Sequence, residues 1–544
     1  MLPVAASPPG YRQEAPAGAE QLSQPAAQQD NAASNLYQPA PVPEQPPGIG
    51  MGLPEEDASD PSATGASASH LALADVIASV YRCYPEVLQA QQERARTAGL
   101  QTQAAGAYDL KLEGYTLSEP TGYYENYRHG IGVARQTWWG GYVSAGYRMG
   151  RGEFAPWYKE RETNKAGEFK LGLVQPLLQG RALDAQRVAL FQSQLAQQAA
   201  NPYIQQAILD AARDASVAYW EWVSGGTKLR AQNKLLRLAE QRGEQFQQGF
   251  NAGQFAEVDL VLNQQLIAER KVKVLEAEQK YRASSFKLSL YLRDANGEPM
   301  VPNRDWLPRS FPSLAHEDHI SAEQELGAAL QRRPELQLLL LQLQQMQWDQ
   351  RQAMNQMLPS VDLVAEASQD IGTPTSSYND KGQFELVFGV QGQVPIQRRK
   401  ARGKLQSTSA KMSQLNEKLR LQQNKVLTEL QIQGNTLELD GQIVAQSRTG
   451  LTAALDTLQR YRFAFQRGKA DLIYLNLLET KATETELKWL DAQRDWFATL
   501  AELQRALALD PLEQANEVSQ LPPTEAPLPP PLPDQPAPGA VPGQ

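Results

Sequence analysis

The chain has 544 residues, with 52 Lys and Arg against 61 Asp and Glu, which gives a net charge of −9. This acidic balance argues against nonspecific nucleic-acid binding, because a basic excess supplies the affinity in that class of protein. No stretch reaches the roughly 18 consecutive apolar residues of a membrane-spanning helix, so any membrane crossing would require a closed β-barrel.

Both ends of the chain are rich in proline. Residues 1–67 consist largely of Pro, Ala, Gln and Ser, and residues 513–544 form a second Pro-rich segment. Such compositions bury too little apolar surface to offset the entropy of ordering, so both segments are predicted to be disordered. The opening MLPVAASPPG has no basic region and no apolar stretch, so no signal peptide is visible. We expect either a start further upstream or a numbering that begins after processing.

An internal repeat organises the region between these ends. The first copy is predicted over residues 68–300 and the second over residues 320–512, with residues 301–319 as a linker. Each copy contains a helix that begins at a Pro-Glu pair, at Pro85 and at Pro334. Proline suits the first turn of a helix, and glutamate suits its positive end. A pair of strands, a long helix, a glycine-containing turn and a returning helix follow in the same order in both copies.

The predicted strands alternate between apolar and polar residues, which places the two kinds of side chain on opposite faces. Each strand is about nine to eleven residues, enough for a tilted strand to cross a bilayer. The alternation is typical of a water-filled transmembrane barrel, although a soluble sheet packed on one face alternates equally well. The residues predicted to face the membrane, here called the apolar set, are Leu110, Leu112, Phe169, Leu171, Leu363, Phe384, Leu386 and Phe388. Those predicted to face the lumen, the polar set, are Asp109, Lys111, Glu113, Lys170, Asp362, Glu366 and Glu385.

The connections within the two strand pairs differ in length. Residues 374–381 predict a short polar turn, whereas residues 119–166 form a long segment rich in Tyr and Trp. Amphipathic aromatic rings favour the membrane–water interface, but an ordinary surface loop with its own small core is an alternative. Residues 129–149 alternate weakly, so an added extracellular hairpin is a third interpretation.

Two predicted helices are too long for an ordinary globular domain. Residues 181–250 and 400–465 each lack a convincing stop, and about 65–70 helical residues extend on the order of 100 Å. Their apolar residues follow a four-three spacing, which is typical of coiled-coil packing. The shorter predicted helices at 70–106 and 260–293 together nearly match one long helix, so they can stack end to end beside it.

The sequence contains no recognisable catalytic motif. There is no Ser-His-Asp arrangement, no phosphate-binding loop, no dinucleotide fingerprint and no convincing set of metal ligands. Its single cysteine, Cys83, excludes a disulfide framework within one chain. We therefore expect neither enzymatic activity nor a cofactor nor a bound metal.

The order of these features resembles the TolC-like outer-membrane efflux family. The two Pro-Glu helix starts, LVQPLLQGR at 173–181, QVPIQRRKARG at 393–403 and the two glycine turns carry the resemblance, which covers about residues 68–512. It implies a mostly α fold with a transmembrane β-barrel, in which a homotrimer combines four strands per subunit with a helical tunnel. It also implies an outer-membrane channel subunit of a tripartite efflux or type I secretion system, working with a periplasmic adaptor protein and an inner-membrane transporter.

The same resemblance implies that the glycine turns form the tips of helical hairpins at a periplasmic aperture, where the adaptor binds. The residues concerned are Gly253, Asp259, Gly468, Asp471 and Tyr474. A ring of aspartates there would favour cations, but both aspartates can equally serve as caps of the returning helices. A different class of function also remains open, namely a soluble, elongated coiled-coil scaffold with a small β-domain.

Overall fold

A computed structural model describes residues 70–154, 161–251, 256–314, 322–375, 381–467, 469, 471–525 and 527, without the side chains of 322–325 and 466. The predicted segment 1–67 and the chain beyond 527 lie outside the described residues. So do Gly253 and Gly468 at the predicted helical tips.

Helices dominate the described chain. Their bounds are α1 Leu73–Cys83, α2 Pro85–Ala105, α3 Ala185–Asn251, α4 Glu257–Ser289, α5 Ala322–Arg332, α6 Pro334–Asn355, α7 Arg399–Gln466, α8 Leu472–Leu507 and α9 Pro511–Gln520. As predicted, α2 and α6 begin at Pro85 and Pro334, each with a glutamate in the first turn. Proline there lacks only an N–H that the helix cannot use, and the glutamate interacts favourably with the helix dipole.

The two long helices are confirmed, with 67 residues in α3 and 68 in α7. In the described chain, α2 and α4 pack against α3, while α6 and α8 pack against α7. The rings of Tyr84, just before α2, and Tyr291, just after α4, have centroids 5.3 Å apart, so these two helices meet end to end. Despite their length, the described helices include no stretch that is apolar enough to cross a membrane.

The largest apolar core lies where α1, α3, α8 and α9 meet. Trp220 of α3 stacks on Phe497 of α8 with ring centroids 4.2 Å apart, and Trp222 is fully buried beside them. Ala515 and Val518 of α9 are buried in the same cluster. The prediction of disorder from residue 513 is therefore wrong for residues 513–520. Local composition concealed this helix, because its stability comes from tertiary packing of one apolar face.

The strands form one antiparallel sheet in chain order β1 to β6. Their bounds are β1 Lys111–Glu119, β2 Asn126–Gln136, β3 Tyr142–Gly152, β4 Glu168–Pro176, β5 Ser360–Asp370 and β6 Glu385–Gln393. The mostly α fold with a strand sheet is confirmed, but four strands per subunit is wrong, because the described residues form a six-stranded sheet. The aromatic segment supplies the additional strands, β2 and β3, here called the inserted β-hairpin. Glycines at 130, 132 and 146 interrupt their alternation and weaken the strand pattern in the sequence.

Candidate functional site

The strand register places the predicted apolar set on one face of the sheet. Leu171 of β4 is paired with Ala367 of β5, which is paired in turn with Leu386 of β6. Directly paired residues point to the same side, and residues two apart share a face. Leu110 and Phe384, which immediately precede β1 and β6, continue this alternation. The face is open in the described chain, where Leu112 is 74% exposed and Phe388 is 69% exposed.

The opposite face of the sheet carries the predicted polar set. Asp109 precedes β1, and the other members lie within the strands at alternating positions. The Nζ of Lys170 lies 2.7 Å from Oε1 of Glu366 on the neighbouring strand. Arg148 of β3 pairs with Glu168 of β4 on the same face. The predicted polar set did not include Arg128 of β2 or Arg148 of β3, although their glycine-rich, alternating surroundings had left a hairpin open as one interpretation.

The turn of the inserted β-hairpin packs against the beginning of α3. Gly140 has a φ of +88°, and a Cβ at this position would lie 2.6 Å from the carbonyl oxygen of Gly180. The guanidinium of Arg187 on α3 donates to the carbonyl oxygens of Gly180 at 2.6 Å and Arg181 at 2.9 Å. Trp138 in the same turn makes an edge contact with Phe191 of α3 at 6.2 Å between centroids. The turn therefore lies at the helical end of the sheet.

The predicted tip aspartates act as helix caps in the structure. Asp259 accepts a hydrogen bond from the backbone N–H of Ala256 at 3.2 Å, at the beginning of α4. Asp471 accepts from the backbone N–H of Tyr474 at 2.7 Å, at the beginning of α8. A carboxylate at these positions satisfies an otherwise unpaired N–H and interacts with the positive end of the helix. Capping is the alternative that the sequence left open for both residues.

A buried carboxylate joins the two helical hairpins, α3–α4 and α7–α8, a short distance from these caps. Oε1 of Glu479 on α8 lies 2.6 Å from Nη2 of Arg242 on α3 and 3.0 Å from Nη2 of Arg462 on α7. Its Oε2 lies 3.2 Å from Nη2 of Arg270 on α4. These residues, here called the Glu479 cluster, come from all four helices. The sequence gives no signal for them, because no helical spacing relates residues on different helices.

The electrostatics of the Glu479 cluster favour the ionised carboxylate. Burial alone would raise the pKa of Glu479, because it removes water from the charge. Hydrogen bonds and positive charge from Arg242 and Arg462 outweigh burial and hold the pKa of this carboxyl below its ordinary value. Burial lowers the pKa of Arg270, and the negative charge of Glu479 partly offsets this lowering. The cluster is therefore a charged link between helical hairpins rather than a proton-exchanging group.

The fold of this chain also occurs in solved structures of other proteins. No protein-family model and no curated protein matches this sequence. Among solved structures, the outer-membrane channel OprN aligns with a TM-score of 0.60 at 15% identity, over 81% of this chain and 90% of its own. The outer membrane protein VceC from Vibrio cholerae aligns at 0.58 and 14% identity, over 80% and 96%. The CmeC outer membrane channel from Campylobacter jejuni aligns at 0.56 and 13%, over 87% and 98%. The chain therefore has the fold of the TolC-like outer-membrane channels, as the sequence resemblance implied.

Proposed function

We propose that the chain is one subunit of an outer-membrane channel, a passive export duct that leads from the periplasm to the cell exterior. One observation carries the proposal: an open apolar face and a charged face lie on opposite sides of one sheet. This sheet is continuous in sequence with helices on the order of 100 Å long. Such a duct needs neither catalytic residues nor a cofactor.

The open apolar face favours a membrane over a soluble scaffold. A soluble sheet would pack this face against its own helices. Each Leu or Phe side chain left in water loses roughly 1.5–3 kcal/mol of favourable burial free energy. Leu112, Leu386 and Phe388 are instead exposed in the described chain. Lipid would cover the apolar set, while water in the lumen would solvate the polar set.

The two sheet edges favour assembly into a homotrimer. In the described residues, β1 and β6 each have a strand neighbour on one side only. An unpaired edge is not tolerated in lipid, because its backbone N–H and C=O groups would lack partners. Neighbouring copies would supply those partners, and the structural relatives are themselves named as outer-membrane channels.

In this proposal the helical tips form the periplasmic aperture and the contact for an adaptor protein, which connects to an inner-membrane transporter. We assign Asp259, Asp471 and Tyr474 to this end, together with Gly253 and Gly468, which lie outside the described residues. The exposed residues Val258 and Ile473 beside the caps support an apolar contact with such a partner. The assembly would place this chain in the outer membrane of a Gram-negative bacterium, with its helices in the periplasm.

The proposal is tested by reconstituting the purified full chain in planar bilayers and recording single-channel currents. We expect the protein to require detergent for extraction, to run as a trimer and to conduct. A folded trimer that never conducts would overturn the duct. A monomer that folds in plain buffer would instead support the coiled-coil scaffold.

A further inference from the structure

The inserted β-hairpin is built along the full length of the sheet. All of β1 is paired with β2, from Lys111 opposite Ala134 to Glu119 opposite Asn126. The whole of β2 is paired with β3, which is paired with β4 from Tyr142 to Arg148. β1 and β4 are therefore separated by two complete strands. A loop that merely decorated the rim would leave β1 and β4 as neighbours.

The inserted β-hairpin also continues both faces of the sheet. Val133 of β2 is paired with Leu112 of β1, and Tyr147 of β3 with Phe169 of β4, so these residues extend the apolar face. The opposite face of the β-hairpin carries Gly130, Gly132, Ala134, Ser144 and Gly146. These small residues form the middle of that face, where the ring of Tyr115 in β1 lies over Gly130. Arg128 and Arg148 lie on the same face and add positive charge to it. The pattern matches a wall with lipid on one side and water on the other.

The edges of the sheet have the geometry needed to meet a second copy. β1 and β6 are both nine residues long. Every residue of β1 is exposed, as is every residue of β6 except Glu385 and Gly389. Since the described strands are even in number and all antiparallel, β6 of one copy and β1 of the next run in opposite directions. Closure around a ring then preserves the same antiparallel pairing throughout.

We propose that the inserted β-hairpin is a structural part of the channel wall, so that three copies of this six-stranded sheet close one eighteen-stranded barrel. The inference rests on the proposed function and fixes the partner of each sheet edge: β1 pairs with β6 of a second copy of this chain. Barrel diameter grows roughly linearly with strand number. The outer pore is therefore about one and a half times as wide as a barrel with four strands from each copy. The exported solutes can be correspondingly bulky at this end.

Cysteine cross-linking tests the edge pairing. In a Cys83→Ser background, one cysteine replaces Leu112, Gly114 or Thr116 in β1 and another replaces Leu386, Phe388 or Val390 in β6. All six positions share the apolar face, so the panel samples the unknown register between copies. We expect at least one combination to link three chains under oxidation. The matched control joins Thr116→Cys to His129→Cys, which are paired within one chain and should cross-link without joining chains.

Polymer exclusion tests the width of the outer pore. Neutral polymers of graded size are added on the outer side of planar bilayers, with the full chain compared with a variant lacking residues 122–164. The deletion leaves a short connection between β1 and β4, which then can pair directly. We expect the largest polymer that reduces the current to have about one and a half times the radius in the full chain.

The outcomes separate the inference from the proposed function. An equal polymer cut-off in two conducting channels would overturn the wider barrel and leave the duct intact. A panel without links between chains, beside a successful control, would overturn the β1–β6 pairing, and this result does not depend on folding of the deletion variant. Absence of conductance from the folded full-chain trimer would overturn the duct itself, and the wider barrel with it.

Discussion

Glu479 of α8 and Arg242 of α3 form an ion pair, at 2.6 Å between Oε1 and Nη2, that joins the two helical hairpins. The Glu479 side chain is 1% exposed, and Arg242 also donates from Nη1 to the side-chain oxygen of Asn476 at 2.5 Å. A buried pair of this kind is costly to break, because the remaining partners stay charged without compensation. The stability of the helical ends should therefore depend on one carboxylate.

Replacement of this carboxylate should destabilise the protein strongly. We expect Glu479→Ala to lower the free energy of unfolding by about 3–5 kcal/mol, because Arg242 and Arg270 would lose their shared counter-charge. Thermal unfolding, followed by the helical signal in circular dichroism, measures the change. Glu484→Ala is a matched control on the same helix, because its side chain is 57% exposed and lies 3.8 Å from Lys481. We expect the control to change stability by less than about 0.5 kcal/mol; equal effects of the two variants would show that the Glu479 cluster is not a stabilising link.

The contribution of Glu479 should disappear in acid. Its pKa in the folded protein is lowered below the value of about 4.3 expected for an unfolded chain. Its stabilisation is therefore present above the unfolded pKa and is lost as the pH falls through the folded pKa. We expect the difference in Tm between the native protein and Glu479→Gln to be constant near neutral pH and to shrink below about pH 4. A difference that stays constant, or that grows in acid, would contradict the assigned direction of the pKa shift.

The cap and aperture roles of Asp471 can be separated. Asn caps a helix about as well as Asp, whereas Ala does not, so Asp471→Ala should cost about 1 kcal/mol and Asp471→Asn little. Both variants remove the charge. We expect Asp471→Asn to retain the native Tm, and any cation preference that the aspartate provides should fall equally in the two variants. Bilayer recordings and thermal unfolding of the same preparations decide between the roles, and an unchanged cation preference would leave Asp471 as a cap alone.

Adjacent residues of β4 should differ in access to water. Lys170 belongs to the polar set and Leu171 to the apolar set, and they lie on opposite faces of the sheet. In a Cys83→Ser background, we expect Lys170→Cys in proteoliposomes to react readily with a charged, water-soluble maleimide. Leu171→Cys should react slowly or not at all, because lipid excludes the charged reagent and disfavours the reactive thiolate form of the cysteine. Equal labelling of the two positions would show that water reaches both faces.

The turn of the inserted β-hairpin should depend on Gly140. Gly140→Ala places a Cβ 2.6 Å from a backbone oxygen at a φ of +88°, and we expect a loss of about 1–3 kcal/mol. Gly99→Ala in α2 is the matched control, since no other described atom lies within 4 Å of its added Cβ. Alanine at such an open helical site should raise the free energy of unfolding by about 0.5–1 kcal/mol. Tm values of the pair should thus move in opposite directions; a tolerated Gly140→Ala would argue against the packed turn.

Several elements were predictable because their causes are local. The Pro-Glu pairs at Pro85 and Pro334 marked helix starts, since proline and glutamate act within the first turn. The long four-three spacing indicated α3 and α7, and the period of two in β4 and β6 separated their apolar and polar residues onto opposite faces of the sheet. The fold resemblance followed from the order of these elements. Capping by Asp259 and Asp471 was also recognised, although only as one of two interpretations.

The sequence by itself therefore determined the two long helices, the starts of α2 and α6, and the alternating faces of β1, β4, β5 and β6, because repeating i, i+4 and i, i+2 relationships are written along the chain. Only the tertiary structure decided that β2 and β3 lie between β1 and β4, since glycines had weakened their alternation. It also decided that Glu479 meets Arg242, Arg270 and Arg462, and that α9 packs beside α1. These relationships join residues far apart in the chain, where no local periodicity connects them and packing free energy selects the partners.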